Sequence, residues 1–181
     1  MRDLREIAKK YKDQLSKIKC VAFDCDGILT TGHIRYDSEE VGWNRSFHTS
    51  DGYGMLVLRR AGLKVGVISG GDSLGISKRF RENLQMDFTF FGDEDKRVAY
   101  KKLHDMGFKD EEILYMGDEF FDVPLLKRCG FAATVPHASP EVQEVADYVT
   151  ERQAGFAAAR EVIDILRFAQ DITPQIPDFD S

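Results

Sequence analysis

Short apolar runs recur along this chain with helical stretches between them, and no other feature narrows its possible folds so far. The runs are Lys19-Cys20-Val21-Ala22-Phe23, Lys64-Val65-Gly66-Val67-Ile68, Asp87-Phe88-Thr89-Phe90-Phe91, Ile113-Leu114-Tyr115-Met116 and Phe131-Ala132-Ala133-Thr134-Val135. Their β-branched and aromatic content predicts buried strands. Helices are predicted over about 52–61, 73–84, 94–106, 119–129, 139–146 and 156–169. Another precedes the first run, where Leu4, Ile7, Ala8, Tyr11, Leu15 and Ile18 recur three or four apart. Lys9, Lys10, Lys12, Lys17 and Lys19 would form its solvated face. Strands alternating with helices predict an α/β fold around a parallel sheet.

One segment breaks the alternation. His33-Ile34-Arg35-Tyr36 and Trp43-Asn44-Arg45-Ser46-Phe47-His48 flank the turn-like Asp37-Ser38-Glu39-Glu40. Apolar and polar residues alternate on both sides, which predicts a β-hairpin over about 32–48, inserted after the first strand. With 181 residues, a single domain over 1–170 is expected. Residues 171–181, with Pro174, Pro177 and three acids, read as a flexible tail.

Composition excludes several classes. Hydrophobic residues make up 43% and charged residues 31%, too apolar for a disordered chain. The net charge is −6 and the basic residues are scattered, which argues against a nucleic-acid partner. No apolar run approaches the length of a membrane span. Cys20, Cys25 and Cys129 form neither a disulfide framework nor a Cys-x-x-Cys pair. The N-terminus is too charged for the apolar core of a signal peptide, so a reducing cytoplasm is expected. His33, His48, His104 and His137 show no metal-ligand spacing.

Chemistry is expected at the strand ends, because ligands of an open parallel sheet bind beyond the carboxyl ends of its strands. The first strand ends in Asp24-Cys25-Asp26-Gly27-Ile28-Leu29-Thr30 and the second in Ser69-Gly70-Gly71-Asp72-Ser73. The third leads into Gly92-Asp93-Glu94-Asp95-Lys96, and the fourth into Gly117-Asp118-Glu119-Phe120-Phe121-Asp122. Asp24, Asp26, Asp118 and Asp122 would converge, and clustered carboxylates repel one another unless a cation intervenes. Mg²⁺ suits a few carboxylates together with phosphate oxygens. Cys25, between two of these acids, reads as a small apolar filler.

Asp-x-Asp-Gly-x-Leu-Thr, then a strand-end Ser, a Lys and Gly-Asp-x-x-x-Asp, in that order, resembles the haloacid dehalogenase superfamily of phosphotransferases. The resemblance covers about 19–135 and implies a three-layer, Rossmann-like fold. It makes Asp24 the nucleophile, forming an aspartyl-phosphate, and Asp26 the general acid/base. It gives Mg²⁺ to Asp24, the backbone carbonyl of Asp26, and Asp118. Ser69 would donate to a phosphoryl oxygen and Lys96 would neutralise charge. Asp122 would support the metal or Lys96, and Gly27 and Gly117 would let the backbone approach the ligand.

Too few residues separate Thr30 from Ser50, or Ser69 from Lys96, for a cap domain. A short capless chain with this hairpin resembles the 3-deoxy-D-manno-octulosonate 8-phosphate phosphatase family. Thr49-Ser50-Asp51-Gly52-Tyr53-Gly54, Ala154-Gly155 and Ala159-Arg160-Glu161 add to the likeness. It implies a homotetramer built through the hairpins, with Thr30, Ser50, Asp51, Gly70 and Gly71 around the substrate. Ile34, Tyr36, Trp43 and Phe47 are the apolar residues such an assembly would cover. Ser50, Gly71 and Phe156 stand where the octulosonate enzymes carry arginines, and Arg35, Arg45, Arg152 and Arg160 are candidates to compensate. The Thr-Ser-Asp stretch is closer to phosphatases of nine-carbon keto-deoxy sugar acids, which is the alternative substrate class. A weakly catalytic oligomerisation domain of the same fold would lack Asp24, Asp26 or Asp118, and all three are present. A receiver-like signalling domain is disfavoured because Lys96 precedes Gly117-Asp118 rather than following it. A dinucleotide-binding module is excluded because no Gly-x-Gly-x-x-Gly follows a strand.

Overall fold

The computed structural model describes residues 2–176, 178 and 179. In chain order the elements are α1 (Leu4–Lys10), α2 (Lys12–Leu15), β1 (Cys20–Phe23), β2 (Arg35–Ser38), β3 (Gly42–Asn44), α3 (Thr49–Arg60), β4 (Lys64–Ser69) and α4 (Leu74–Ser77). They continue as β5 (Phe88–Phe91), α5 (Lys96–Asp105), β6 (Ile113–Met116), α6 (Val123–Leu126), β7 (Phe131–Thr134), α7 (Pro140–Gln143), β8 (Tyr148–Val149) and α8 (Ala158–Ala169).

Six strands form one parallel sheet in the order β5-β4-β1-β6-β7-β8. Strand β1 is central and buried along its whole length, which is why its sequence is apolar without alternation. From β1 the chain builds outward through β4 to β5, then crosses back to β6 and builds outward the other way. That reversal beside β1 opens a crevice at the carboxyl ends of β1, β4 and β6. Helix α8 packs against α1 and α3, while α5 and α6 contact each other and the sheet, completing the layers.

The outer elements differ from the sequence expectation. The first helix breaks at Tyr11, so Lys17 and Lys19 lie outside it. The stretch 73–84 divides into α4 and a wider turn over Lys78–Asn83. The stretch 119–129 holds only a tight turn at Phe120–Asp122 followed by α6, with Pro124 in its first turn. The stretch 139–146 keeps only α7. Strand β8 has two residues, too few to show a period.

The hairpin pairs Tyr36 with Trp43 across an antiparallel ladder that shifts register before Ser38. It forms its own two-stranded sheet, apart from the six-stranded one. Ile34, Tyr36 and Trp43 are each about half exposed, at 51%, 53% and 54%. Phe47 does not join them: it is partly buried, with its ring edge-on to Phe80 at 5.2 Å. Of the tail expected over 171–181, positions 177, 180 and 181 lie outside the described residues, and Ile172 packs against the core. No described helix is long and apolar enough to cross a membrane.

Candidate active site

Asp24 follows β1 directly, and its N–H donates to the Met116 carbonyl at 2.8 Å, fixing it against the end of β6. The chain then turns through Cys25–Leu29, with Gly27 at φ +88°. A Cβ on Gly27 would lie 2.0 Å from Asp118 Oδ2, so only glycine allows this approach. Cys25 is fully buried among apolar residues, and burial holds its thiol well above the usual range.

Lys96 opens α5 and is only 1% exposed. Its Nζ donates to Asp24 Oδ1 at 2.6 Å and to Asp122 Oδ1 at 2.7 Å, and lies 4.4 Å from the centre of the Phe121 ring. Burial works against its charge, but Asp24 and Asp122 outweigh that and hold its pKa above the usual lysine value. Asp122 has no capacity left over. Its Oδ1 also accepts from Tyr115 Oη at 2.6 Å, and its Oδ2 accepts the N–H groups of Asp118 and Glu119 at 3.0 and 3.1 Å. A carboxylate so occupied holds the Asp118 loop and Lys96 in place.

Asp24, Asp118 and Asp122 can present oxygens within 4.8 Å of one another. Three buried acids face one buried ammonium, and Asp118 Oδ1 is buried without a hydrogen-bond partner. Burial pushes the Asp24 carboxyl up to about 7, against the Lys96 charge. Burial pushes Asp118 up to about 8, with the charges of Asp24 and Asp122 adding to it. An unpartnered oxygen and uncompensated negative charge fit a hard divalent cation. His137 Nε2 stands 4.0 Å from Asp118 Oδ2 at the rim.

The Asp26 carboxylate is not part of that trio. It accepts a two-pronged bridge from Arg45, Nε to Oδ1 at 2.7 Å and Nη2 to Oδ2 at 2.6 Å. Buried Thr30 donates from Oγ1 to Asp26 Oδ1 at 3.1 Å. Ser69, buried at the end of β4, accepts the Gly71 N–H on Oγ at 3.2 Å. A Cβ on Gly71 would lie 3.4 Å from Asp26 Oδ2 and 3.7 Å from Ser69 Oγ, which puts these groups on one side of the crevice. A Cβ on Gly117 would strike Asp122, so that glycine serves the loop itself.

The remaining predicted residues point elsewhere. Gly70 faces Asp93 and Glu94. Ser50 lies in the first turn of α3, with its N–H on His48 Nδ1 at 3.2 Å. Asp51 is buried and turned to α8, where Oδ1 accepts the Arg160 N–H at 2.7 Å. Among the candidate arginines, Arg160 pairs with Asp164, Arg35 with Asp37, and Arg152 reaches the Ala157 carbonyl. Sequence reasoning missed Tyr115, and it named Ser73 only within the second strand-end stretch, without its bond to Arg45. A buried tyrosine in an apolar strand is itself a signal, because its hydroxyl needs a partner.

A parallel sheet with this switch point, carrying three carboxylates and a buried lysine, defines the class of haloacid dehalogenase-like hydrolases. The family model of that description matches residues 88–161. The 3-deoxy-D-manno-octulosonate 8-phosphate phosphatase KdsC of Haemophilus influenzae is 33% identical over 160 residues, covering 88% of each chain. The corresponding phosphatase from Moraxella catarrhalis, solved with a magnesium ion, a phosphate ion and KDO, superposes with a TM-score of 0.84. It is 30% identical and the match covers 90% of this chain and 93% of that one. The cobalt-bound H. influenzae enzyme superposes at a TM-score of 0.82 with 34% identity, over 87% of this chain and 92% of that one. The chain belongs to the 3-deoxy-D-manno-octulosonate 8-phosphate phosphatase family.

Proposed function

We propose that this protein is a Mg²⁺-dependent phosphomonoesterase that hydrolyses 3-deoxy-D-manno-octulosonate 8-phosphate to the free sugar acid and inorganic phosphate. The observation that carries this assignment is Asp24, buried at the end of β1 with one oxygen held 2.6 Å from Lys96 Nζ and the cation-seeking Asp118 beside it. Likeness to the octulosonate phosphatases over 88% of the chain favours the eight-carbon acid over the nine-carbon alternative.

In the first step an Asp24 oxygen attacks phosphorus, the bond from phosphorus to the sugar oxygen breaks, and Asp26 gives its proton to the departing alkoxide. In the second step water attacks the aspartyl-phosphate, Asp26 takes the water's proton, and phosphate leaves with Asp24 restored as a carboxylate. Ser69 donates to a phosphoryl oxygen, and Lys96 offsets the charge of nucleophile and phosphate. Asp24, Asp118 and the backbone carbonyl of Asp26 would hold Mg²⁺, which when bound shields the nucleophile from the phosphate's negative charge. Asp122 keeps Lys96 and the Asp118 loop in place.

The assembly is a homotetramer joined through the hairpins. Support comes from Ile34, Tyr36 and Trp43, exposed on the hairpin, and from Phe120, Phe121 and Phe156, exposed on loops around the site. Neighbouring chains then enclose a substrate that a capless chain leaves open. The three cysteines are free, which accords with a reducing cytoplasm.

The decisive experiment compares wild type and Asp24→Asn for phosphate release from the octulosonate 8-phosphate with Mg²⁺. The variant should fall to background while its circular dichroism is unchanged. Undiminished release in the folded variant overturns the mechanism. Wild-type activity confined to nine-carbon acid phosphates overturns the substrate.

A further inference from the structure

Arg45 lies on the return arm of the hairpin, 19 residues from Asp26 in sequence. Its guanidinium uses four of its five N–H groups. Nε and Nη2 hold the two oxygens of Asp26, while Nη1 donates to the Trp43 carbonyl at 3.1 Å and to Ser73 Oγ at 2.9 Å. Ser73 in turn caps α4 through the Ile76 N–H. The fork therefore ties three segments together: the hairpin, the turn after β1 and the start of α4. A planar guanidinium bound on both prongs fixes the plane as well as the position of a carboxylate.

Burial sets the direction of the relationship. The Arg45 side chain is 5% exposed, whereas that of Asp26 is 31% exposed. The arginine sits behind the carboxylate, with its donors committed, and the acid faces the crevice beside Ser69 and Gly71. A guanidinium in this state has little left for a substrate's carboxylate, so the missing family arginines are not replaced by Arg45.

We propose that Arg45 is a positioning residue for proton transfer: it holds the Asp26 carboxyl where it meets the leaving oxygen and then the attacking water. The inference rests on the phosphatase assignment and deepens it. It makes the hairpin part of the reaction, since a shift of Trp43 or Ser73 moves Asp26. The bridge is also the device that separates the two roles of the motif's acids. Asp24 is set by Lys96 and Asp26 by Arg45, so the two carboxylates of the motif answer to different cations.

The test uses Arg45→Ala and Arg45→Lys in the Mg²⁺-loaded enzyme with two substrates. With the sugar acid phosphate, whose alkoxide needs a proton, Arg45→Ala should lower kcat about 10²-fold, the cost of a misplaced catalytic group, with KM little changed. With 4-nitrophenyl phosphate, whose leaving group departs without a proton, Arg45→Ala should release one fast equivalent of nitrophenolate per site and then turn over slowly. The slow phase follows because hydrolysis of the aspartyl-phosphate still needs Asp26. Arg45→Lys, which keeps the charge and loses the fork, should recover part of kcat. If Arg45→Ala does not fold, Ser73→Ala removes one anchor of the fork and should show the same pattern more weakly. A raised KM at unchanged kcat, or equal losses on both substrates without a burst, overturns the inference. A wild type inactive on every phosphomonoester overturns the phosphatase assignment and this inference with it. An active wild type with an indistinguishable Arg45→Ala overturns this inference alone.

Discussion

Lys96 shows how much one side chain settles at this site. Its ammonium is shared by Asp24 and Asp122, and Asp118 Oδ1 is left without a hydrogen-bond partner. The consequence is a pH dependence with a definite sign. Burial raises Asp24 to about 7 and Asp118 to about 8, both above the ordinary 3.8, and Asp51 rises to about 6 for the same reason. The folded chain therefore binds more protons than the unfolded chain across this interval, and its stability falls as pH rises through it. Without divalent ions, the melting temperature should drop between about pH 4 and pH 8. Mg²⁺ should restore it, and more at the upper end, because the ion binds the ionised carboxylates. Scanning calorimetry with and without EDTA checks this, and a melting temperature that rises over the interval without metal contradicts it. Asp24 and Ser69 were legible as strand-end residues because each directly follows an apolar run, and Asp26, Lys96 and Asp118 because they lie two to five residues beyond one. The partnership of Arg45 with Asp26 was not, since nothing in the spacing of a hairpin arm states which acid it folds onto.

At the level of elements, α8 is tied down by acids that lie outside the reaction. Asp51, carried by α3, accepts an N–H in the first turn of α8, so it caps a helix far from it in sequence. Glu161 accepts from Tyr148 Oη at 2.7 Å and from the N–H groups of Glu151 and Arg152 at 2.8 and 3.0 Å, binding β8 and the following loop to α8. Asp51→Ala should cost about 1–2 kcal/mol, the value of a lost cap, while Asp51→Asn keeps an acceptor and should cost less. Urea unfolding of both variants checks the order, and equal losses would mean that charge rather than capping is at stake. The short strands were legible because they are apolar along almost their whole length, and the longer helices α3, α5 and α8 because their burial pattern repeats several times. The ends of 73–84 and 119–129 were not. There the chain bends to seat Phe80 and Asp122, and local propensity yields to those contacts.

For the molecule as a whole, the exposed hairpin is the feature that a single chain leaves unexplained. Tyr36 and Trp43 stack edge-on at 5.5 Å and face outward. A double substitution, Tyr36→Glu with Trp43→Glu, puts like charges into the interface proposed for the tetramer. Sedimentation should show a tetramer for the wild type and smaller species for the variant, with circular dichroism preserved. A wild type that sediments as a monomer removes the hairpin interface from the proposal. The same fold explains why −6 overall charge does not bar an anionic substrate. The acids of the crevice are answered locally by Lys96 and Arg45, and a divalent cation held by Asp24 and Asp118 would offset the rest.

The sequence alone determined the α/β class, the parallel sheet, the inserted hairpin and the acids at its strand ends. These rest on periodicity and on residues adjacent in the chain, and both survive in one dimension. The tertiary structure alone decided which acid meets which cation. Asp24 received Lys96 from α5, Asp26 received Arg45 from the hairpin, Asp51 turned away to α8, and Phe47 turned inward to Phe80. Such pairings depend on how separate elements cross the sheet and on which buried groups must find partners. No local pattern carries that information, because burial and charge compensation are properties of the packed molecule.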